Sequence, residues 1–167
     1  MIKTPIQKAG IKVYVLLERE DRFFAMRRIN TGFMDGFYTP PAGRVDEGET
    51  FIDAAIRETK EEAGITVNPE ALDLVHIVHR EGTERYKGTF WIDVFFKCLK
   101  WEGEPFIAEP NKSDELRWIN YNEAGYDFGK SFDAYFKQVF LNIQKGIKFS
   151  IFGWNDEQRV VNLKEAG

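Results

Sequence analysis

The sequence predicts an α/β fold in which a mixed β-sheet is sandwiched between helices, one on each face. Strand-like and helix-like hydrophobic patterns alternate along the 167 residues, without internal repeats or low-complexity linkers. A hydrophobic content of 43% with 30% charged residues is ordinary for a globular protein with one sizeable core. We therefore expect one domain over residues 1–146, followed by a C-terminal extension, residues 147–167, that packs on the domain or on a partner.

The first strands are predicted as a hairpin that leads into a rigid loop. Ile11–Leu17 and Arg22–Arg28 are apolar, partly alternating runs, and the polar segment Glu18–Asp21 joins them. A short strand is expected at Phe37–Thr39. The segment from Pro40 to Gly43 then combines two residues of fixed φ with a permissive glycine, which favours a fixed loop.

A helix is predicted between Thr50 and Gly64. Thr50 is a favourable N-cap, Asp53 completes a capping-box-like pair, and Gly64 stands where a left-handed residue ends a helix. The helix has one mostly apolar stripe with helical spacing, formed by Ile52, Ala55, Ile56, Thr59 and Ala63. This stripe is expected to pack on the sheet.

The remaining elements complete the sandwich. Strands are predicted at Leu72–Arg80 and Thr89–Leu99, separated by the polar loop Glu81–Gly88, with a shorter strand at Glu115–Ile119. The second helix, Ser131–Lys145, has a wide apolar face formed by Phe132, Tyr135, Phe136, Val139, Phe140 and Ile143. This order of elements indicates a mixed sheet with a helix on each face.

The first helix carries three carboxylates, Glu58, Glu61 and Glu62, roughly opposite its apolar stripe. Like charges at this spacing weaken a helix by about a few tenths of a kcal/mol per pair, so the cluster is either solvated or bound to a cation. Taken alone, such a run is more often an ordinary solvated face. The neighbouring loop favours a cation, because a loop carbonyl and carboxylates offer the oxygen ligands that Mg²⁺ and Mn²⁺ prefer.

The net charge and the cysteine content limit which partners and which compartment are expected. The net charge of −4 argues against a general nucleic-acid-binding surface, so anionic substrates would meet local positive charge and metal. The single Cys98 excludes an intrachain disulfide and fits a reducing compartment. No secretory signal peptide and no apolar run of membrane-spanning length is evident. We therefore expect a cytoplasmic protein, a monomer or homodimer, that binds neither membranes nor, stably, nucleic acid.

The stretch from Gly43 to Ile65, GRVDEGETFIDAAIRETKEEAGI, resembles the Nudix box, G-x5-E-x7-R-E-U-x-E-E-x-G-U, in which U is a bulky aliphatic residue. Its fixed positions are occupied by Gly43, Glu49, Arg57, Glu58, Glu61, Glu62, Gly64 and Ile65. A departure is Thr59, which stands at a U position and should weaken core packing without touching the acids. The resemblance implies the Nudix α/β/α sandwich and hydrolysis of a nucleoside diphosphate linked to another moiety, X.

The same resemblance implies roles for the residues of the box. Glu58 and Glu62 would be the principal metal ligands, with Glu61 in the same shell. The carbonyl of Ala42 would be the backbone ligand. Arg57 would orient a catalytic carboxylate by charge-assisted hydrogen bonds.

Glu49 has two candidate roles. The resemblance implies that it supports the metal site. The alternative is that it stabilises the N-terminus of the helix, where the helix dipole favours a carboxylate.

A second resemblance, outside the box, is to the MutT-type nucleoside triphosphate pyrophosphohydrolases. The segment Trp101–Pro105, WEGEP, is followed by Glu109, which matches a glutamate on a loop that closes over the metal site in those enzymes. Glu109 would then be a metal ligand or the general base, with Glu58 as the other candidate base. A solvated loop acid is the alternative interpretation of Glu109.

The pair Arg27-Arg28 also fits the MutT-type pattern, at the end of the second strand. Because neighbouring strand residues face opposite ways, only one of the two is expected to reach the substrate. Arg28 is chosen to contact the phosphate chain, with a salt bridge to a surface acid as the alternative.

Four further residues are candidates for contacting the substrate. Phe33, Tyr38 and Tyr86 lie on or beside loops near the expected site, and their rings could stack on a base. Asp114 is similar in position to acids with which some Nudix proteins read a base edge, although a turn-forming aspartate is the simpler interpretation.

Together the resemblances predict a Mg²⁺-dependent pyrophosphohydrolase, with Mn²⁺ as a substitute, acting on a nucleotide-type small molecule. The favoured substrate is a nucleoside triphosphate, converted to the monophosphate and pyrophosphate, as in nucleotide-pool sanitation. ADP-ribose and dinucleoside polyphosphates are the competing substrates. A non-catalytic Nudix domain that senses a ligand is the alternative from another class, but such domains commonly lose box acids, and every box acid is present here.

Overall fold

A computed structural model of the protein describes residues 9–82, 88–121, 134–154 and, for the backbone, 159–160. The chain forms two α-helices and nine strands within these residues, together with a short 3₁₀ turn at Pro69–Ala71. In chain order the elements are β1 (Ala9–Arg19), β2 (Arg22–Arg28), β3 (Tyr38–Thr39), β4 (Ala42–Arg44), α1 (Phe51–Ala63), β5 (Leu72–Glu81), β6 (Phe90–Cys98), β7 (Ser113–Asn120), α2 (Ala134–Gln144), β8 (Phe149–Phe152) and β9 (Arg159–Val160).

The strands form a mixed sheet. Its order is β3-β2-β1-β6-β5-β8-β9, while β4 pairs with β1 and β7 pairs with β2. The central pair β1–β6 is parallel and β5–β6 is antiparallel, so both ladder types meet at β6. The predicted mixed sheet is confirmed.

The predicted first hairpin is confirmed only near its turn. Glu20 and Asp21 both have positive φ, as a two-residue hairpin turn of the type I′ class requires. Beyond two residue pairs the arms separate, because β1 pairs with β4 and β6 while β2 pairs with β3 and β7. The space between the separated arms opens towards the loops that follow β2 and β3.

Each face of β1 packs against a different helix. Val13, Val15 and Leu17 belong to the core cluster that contains Ala54 and Ala55 of α1. The alternate residues of β1 belong to the other cluster, together with residues of α2; its members include Tyr14, Leu16, Phe95, Phe136, Val139 and Phe140. The period-2 alternation of a strand therefore separates the two cores. This arrangement confirms the predicted α/β/α sandwich.

Helix α1 begins and ends where the sequence predicts. The Thr50 hydroxyl accepts the Asp53 backbone N–H at 3.1 Å, and the Asp53 carboxylate accepts the Thr50 N–H at 3.2 Å. Gly64 ends the helix at φ 71°, and its N–H donates to the Lys60 carbonyl. Thr59 is buried at its apolar position because its hydroxyl donates to the Ala55 carbonyl at 2.6 Å.

The segment after α2 adds an edge to the sheet. Helix α2 is confirmed over Ala134–Gln144, and the predicted residues 131–133 lie outside the described part of the chain. Strand β8 pairs in parallel with β5, which brings residues 149–152 into the sheet. The division at residue 146 stays a prediction. No helix in the described ranges has the length and apolar content of a membrane span.

A buried histidine joins β5 to this added edge. The two ring nitrogens of His76 lie 2.7 Å from the Ile147 carbonyl oxygen and 2.8 Å from the Ser150 hydroxyl. A carbonyl only accepts, so Nδ1 carries the proton and Nε2 accepts from Ser150. Burial, the largest cause, lowers the pKa of His76 from its ordinary value of 6.5.

Acidification is therefore expected to weaken the fold through His76. Since the folded pKa lies below the unfolded one, the unfolded chain binds more protons between the two values, and the free energy of unfolding falls as pH drops through about 6.5. Urea unfolding of the parent protein and of His76→Gln at pH 8 and pH 5.5 tests this. The variant should be less stable at pH 8, and its free energy of unfolding should fall less between the two pH values. An equal fall in the two proteins would contradict the role of His76.

Candidate active site

A cavity of about 600 Å³ lies where α1, the loop before β4 and several strands meet. Glu58 and Glu62 of α1 line it, together with the backbone at Ala42 and Gly43. Cationic side chains also line it, from Lys12, Arg28, Arg44, Arg80 and Lys112. We call the part of the lining formed by the two carboxylates and the adjacent backbone the carboxylate end, and the part formed by the five cations the cationic end.

The two carboxylates at the first end are poorly solvated. The Glu58 side chain is 12% exposed, and burial is the largest cause that raises its pKa. Burial and the charge of Glu58 raise the pKa of Glu62 to about 7, against the hydrogen bond that the Ala42 N–H donates to it at 2.9 Å. Two buried carboxylates that repel each other are stabilised by a proton or a cation.

The loop beside these carboxylates is fixed to the sheet. The Val15 N–H donates to the Pro41 carbonyl at 2.9 Å, and Ala42 and Gly43 pair with Tyr14 and Val13. A Cβ at Gly43 would overlap the Glu58 carboxylate. The glycine therefore allows the carboxylate to lie directly against the backbone of the loop.

Arg57 holds the carboxylates of two box residues at once. Its guanidinium donates to both Glu49 oxygens at 2.8 Å, to Glu58 at 2.6 Å and to the Arg44 carbonyl at 3.0 Å. The hydrogen bond with Arg57 is the largest cause that lowers the pKa of Glu49 to about 2. Glu49 thus anchors the arginine, while the cap of α1 is formed by Thr50 and Asp53.

Glu61 and Glu109 lie close to this group without lining the described cavity. Glu61 is 55% exposed, and its carboxylate lies 3.5 Å from Arg57 Nη1. The loop that carries Glu109 docks on the end of α1, because the Ala108 N–H donates to the Glu62 carbonyl at 3.0 Å. The Glu109 carboxylate accepts from Lys112 at 2.7 Å. The roles predicted for both glutamates stay predictions.

The residues at the carboxylate end fit a hard divalent cation by their chemistry. Among the described residues no three acidic, histidine or cysteine side chains converge in a metal-binding arrangement. Glu58, Glu62 and Glu109 each accept from a protein donor instead. The fit rests on the donor atoms, since two buried, mutually repelling carboxylates lie against a loop backbone and offer oxygen ligands.

The two adjacent arginines of β2 point to opposite sides. Arg28 lines the cavity, and its Nε donates to the Phe33 carbonyl at 3.0 Å. Arg27 donates to both carboxylate oxygens of Asp114 at 2.8 Å and lies 3.0 Å from Glu115. The structure thus places Arg28 at the cavity and Arg27 on the outer surface, in line with the expectation that only one of the two reaches the site. Contact of Arg28 with a phosphate stays a prediction.

Of the four predicted substrate contacts, the structure places one at the cavity. Phe33 lines its rim and is 48% exposed. Tyr38 is 4% exposed in the core, because Thr39 is the β3 residue that faces the cavity. Asp114 is held by Arg27 on the far side of β2. Tyr86 lies outside the described residues. The expectations for Tyr38 and Asp114 are therefore corrected.

The cationic end contains residues that the sequence interpretation missed. Lys12 lies on central strand β1, and burial followed by the charge of Arg28 lowers its pKa to about 8. Arg80 and Trp91 face it from β5 and β6. The signal was present, since Lys12 interrupts an apolar run whose residues from Val13 to Leu17 are buried. A charged residue at such a position is rare without a partner or a function.

Comparisons with known proteins agree on one family. The model of the NUDIX domain family matches residues 8–140. An Escherichia coli K12 protein named 8-oxo-dGTP diphosphatase is 29% identical over 117 residues, which are 70% of this chain and 86% of that protein. A Caenorhabditis elegans protein named bis(5'-nucleosyl)-tetraphosphatase (asymmetrical) is 41% identical over 61 residues, 36% of this chain and 42% of that protein.

Solved structures show the same fold. The MutT protein from Methanosarcina mazei Go1 superposes with a TM-score of 0.68 at 24% identity, covering 85% of this chain and 97% of that one. The MutT NUDIX hydrolase from Burkholderia pseudomallei gives 0.66 at 21% identity, covering 81% and 98%. Identity at this level supports the fold and not the substrate.

Proposed function

Since this chain belongs to the Nudix family and is a hydrolase of phosphoric anhydride bonds, we propose that it cleaves a nucleoside triphosphate to the monophosphate and pyrophosphate with the help of Mg²⁺. The observation that carries the proposal is the buried pair Glu58 and Glu62, which lines a cavity that five cationic side chains also line. A nucleotide with a polyphosphate chain matches both ends.

Glu58 and Glu62, with the Ala42 carbonyl, would hold the divalent cation, and Glu61 and Glu109 would add ligands at its edge. Mg²⁺, or Mn²⁺ in its place, supplies charge neutralisation for the phosphates and a lower pKa for bound water. The donor types agree with this choice, since carboxylate, carbonyl and water oxygens suit hard cations.

The other side chains would position the reactants. Arg57 fixes the Glu58 carboxylate through the 2.6 Å hydrogen bond, and Glu49 fixes Arg57 from the opposite side. Arg28 faces the cavity and would bind a phosphate oxygen. As water attacks the phosphorus, its proton would pass to a carboxylate, either Glu58 or Glu109, and the bond to the leaving pyrophosphate oxygen would break.

Two observations favour a triphosphate over the competing substrates. The Escherichia coli relative, named 8-oxo-dGTP diphosphatase, aligns over 86% of its length, whereas the tetraphosphatase relative aligns over 42%. The WEGEP segment, Glu109 and the paired arginines resemble the MutT-type enzymes, and the loop of Glu109 contacts the end of α1 through the Ala108 N–H. Separately, the intact set of box acids argues against a non-catalytic sensor.

A substrate panel tests the proposal. We expect kcat/KM with Mg²⁺ to be highest for a nucleoside triphosphate, among dGTP, 8-oxo-dGTP, dATP, ADP-ribose and diadenosine tetraphosphate. We expect the products to be the monophosphate and pyrophosphate, separated by anion exchange, because cleavage falls between the α and β phosphates. Orthophosphate as the sole inorganic product, or a wide preference for ADP-ribose or the dinucleotide, would contradict the triphosphate assignment.

The single thiol bears on the proposed compartment. Cys98 is free and buried, and its thiol donates to the Lys100 carbonyl at 3.1 Å. This supports the proposal of a reducing compartment such as the cytoplasm.

A further inference from the structure

We propose that the cationic end of the cavity is an anion subsite, built by Lys12 and Arg80, that binds a phosphate group of the substrate other than the two phosphates between which the proposed cleavage falls. The subsite rests on the proposed function, since it adds a further contact to the same substrate. The chemical class it takes is a phosphate, either the last one of a triphosphate chain or a phosphate ester on the remainder of the nucleotide.

Lys12 is the first part of the subsite. Its ammonium group faces the cavity and lies 5.0 Å from the Tyr14 ring centroid. Among the described residues it makes no hydrogen bond and no ion pair. A partly buried ammonium group without a partner costs stability, so the position is explained by an anion that arrives with the substrate.

Arg80 is the second part, and it is held rigidly. Its guanidinium donates to Asp93 through Nε and, at 3.4 Å, through Nη2, and it lies over the Trp91 ring at 5.1 Å. The Tyr135 hydroxyl donates to the same carboxylate at 2.6 Å. Asp93 is 0% exposed, so its carboxylate fixes the guanidinium from below the cavity wall. The guanidinium of Arg80 is therefore already fixed in position before a ligand binds.

The strand register brings the two cations together. Lys12 on β1 pairs with Asp93 on β6, and Arg80 on β5 pairs with Trp91, two residues before Asp93 on the same strand face. Asp93 is the carboxylate in register with Lys12, but Arg80 and Tyr135 already occupy it. The ammonium group is left to a ligand.

The charge of the cavity supports the same ligand class. Five cationic and two carboxylate side chains line its described part. Asp93 and Glu109 neutralise two of the cations, Arg80 and Lys112, which leaves a surplus of one positive charge. The whole chain has a net charge of −4. A local surplus of the opposite sign, inside a concave site, favours an anionic ligand.

Lys12→Met tests the subsite, because it removes the charge and keeps the length of the side chain. Lys12→Arg is the conservative partner, and Lys145→Met, at an exposed position after α2, is the matched control. The substrates are two pairs of nucleotides, dGTP with dGDP and NADPH with NADH, and the members of each pair differ by one phosphate. In the parent protein we expect the member with the extra phosphate to have the lower KM in one of the pairs, and that pair identifies the source of the phosphate.

Lys12→Met is expected to raise the KM of that member by about tenfold to a hundredfold, the range for losing a hydrogen bond to a charged group. The KM of its partner and both kcat values should change little, Lys12→Arg should restore most of the difference, and Lys145→Met should resemble the parent. The melting temperature should rise, because an unpaired ammonium group has been removed. Equal KM changes within each pair, or no phosphate preference in either pair, would overturn the proposal.

Direct binding separates this inference from the proposed function. If the parent protein hydrolyses none of these four nucleotides and no triphosphate of the substrate panel, the proposed function fails and calorimetry with inorganic triphosphate and pyrophosphate decides the subsite. The subsite is supported if the parent binds inorganic triphosphate more tightly than pyrophosphate and Lys12→Met binds the two anions equally. Equal binding of the two anions by parent and variant would overturn it.

Discussion

Replacing Glu58 by glutamine is expected to lower kcat for the preferred triphosphate by at least about a hundredfold, the scale for removing a catalytic carboxylate. The glutamine keeps the shape of the side chain but removes the charge that would hold the cation, and it weakens the hydrogen bond from Arg57. The metal-free fold should be at least as stable, because burial disfavours the charged form of Glu58 and raises its pKa.

The control for Glu58→Gln is Glu70→Gln, at an exposed acid in the turn after α1. It should keep full activity under the same Mg²⁺ concentration. If Glu58→Gln retains more than about half of the parent rate on every nucleotide that the parent hydrolyses, the carboxylate pair is not the catalytic centre.

Gly43→Ala is expected to give the second largest loss of activity with little loss of stability. The new methyl group would occupy the space of the Glu58 carboxylate. That carboxylate ends a flexible side chain, so it can move away at low cost, but it then leaves the position in which Arg57 holds it. A displaced catalytic group costs about a hundredfold in rate.

Gly48→Ala is the matched control for this substitution. It adds the same methyl group five residues later, in the loop between β4 and α1, into open space and at a residue whose φ is +82°. The strain of a left-handed alanine should lower the free energy of unfolding by about 1 kcal/mol and leave kcat nearly unchanged. Equal activity losses in the two variants would show that loop strain, and not the position of Glu58, determines the effect.

Local rules predict the carboxylate end of the site well. The helix boundaries follow from Thr50, Asp53 and Gly64, whose preferences act through contacts within the helix itself. The spacing of Glu58 and Glu62 then places both on one side. Alternation along a strand is also a local property, and it predicts that only one of Arg27 and Arg28 reaches the cavity.

The features that the sequence did not predict depend on long-range strand pairing. The β1–β2 hairpin opens after two residue pairs because β4 and β6 take over the edges of β1. Tyr38 enters the core because β3 pairs with β2 in the register that turns Thr39 to the cavity. Asp114 does not reach the cavity because Arg27 donates hydrogen bonds to it, and the β2–β7 register brings these two residues together. None of these pairings is encoded in a local pattern.

The cationic end was missed for the same reason. Lys12, Arg80 and Asp93 come from three strands and meet only when β1, β6 and β5 are side by side. A charged residue inside each apolar run marks the strand as unusual, but the partner of each charge depends on the sheet order. The cationic part of the cavity is therefore a property of the topology, and the carboxylate part is a property of one helix.

Binding of Mn²⁺ to the metal-free protein, followed by electron paramagnetic resonance, tests most directly whether Glu58 and Glu62 form the metal-dependent centre. The parent protein should bind Mn²⁺, Mg²⁺ should compete for the same site, and the double variant Glu58→Gln, Glu62→Gln should lose that binding while its melting temperature is kept. Unchanged Mn²⁺ affinity in the folded double variant would contradict the account.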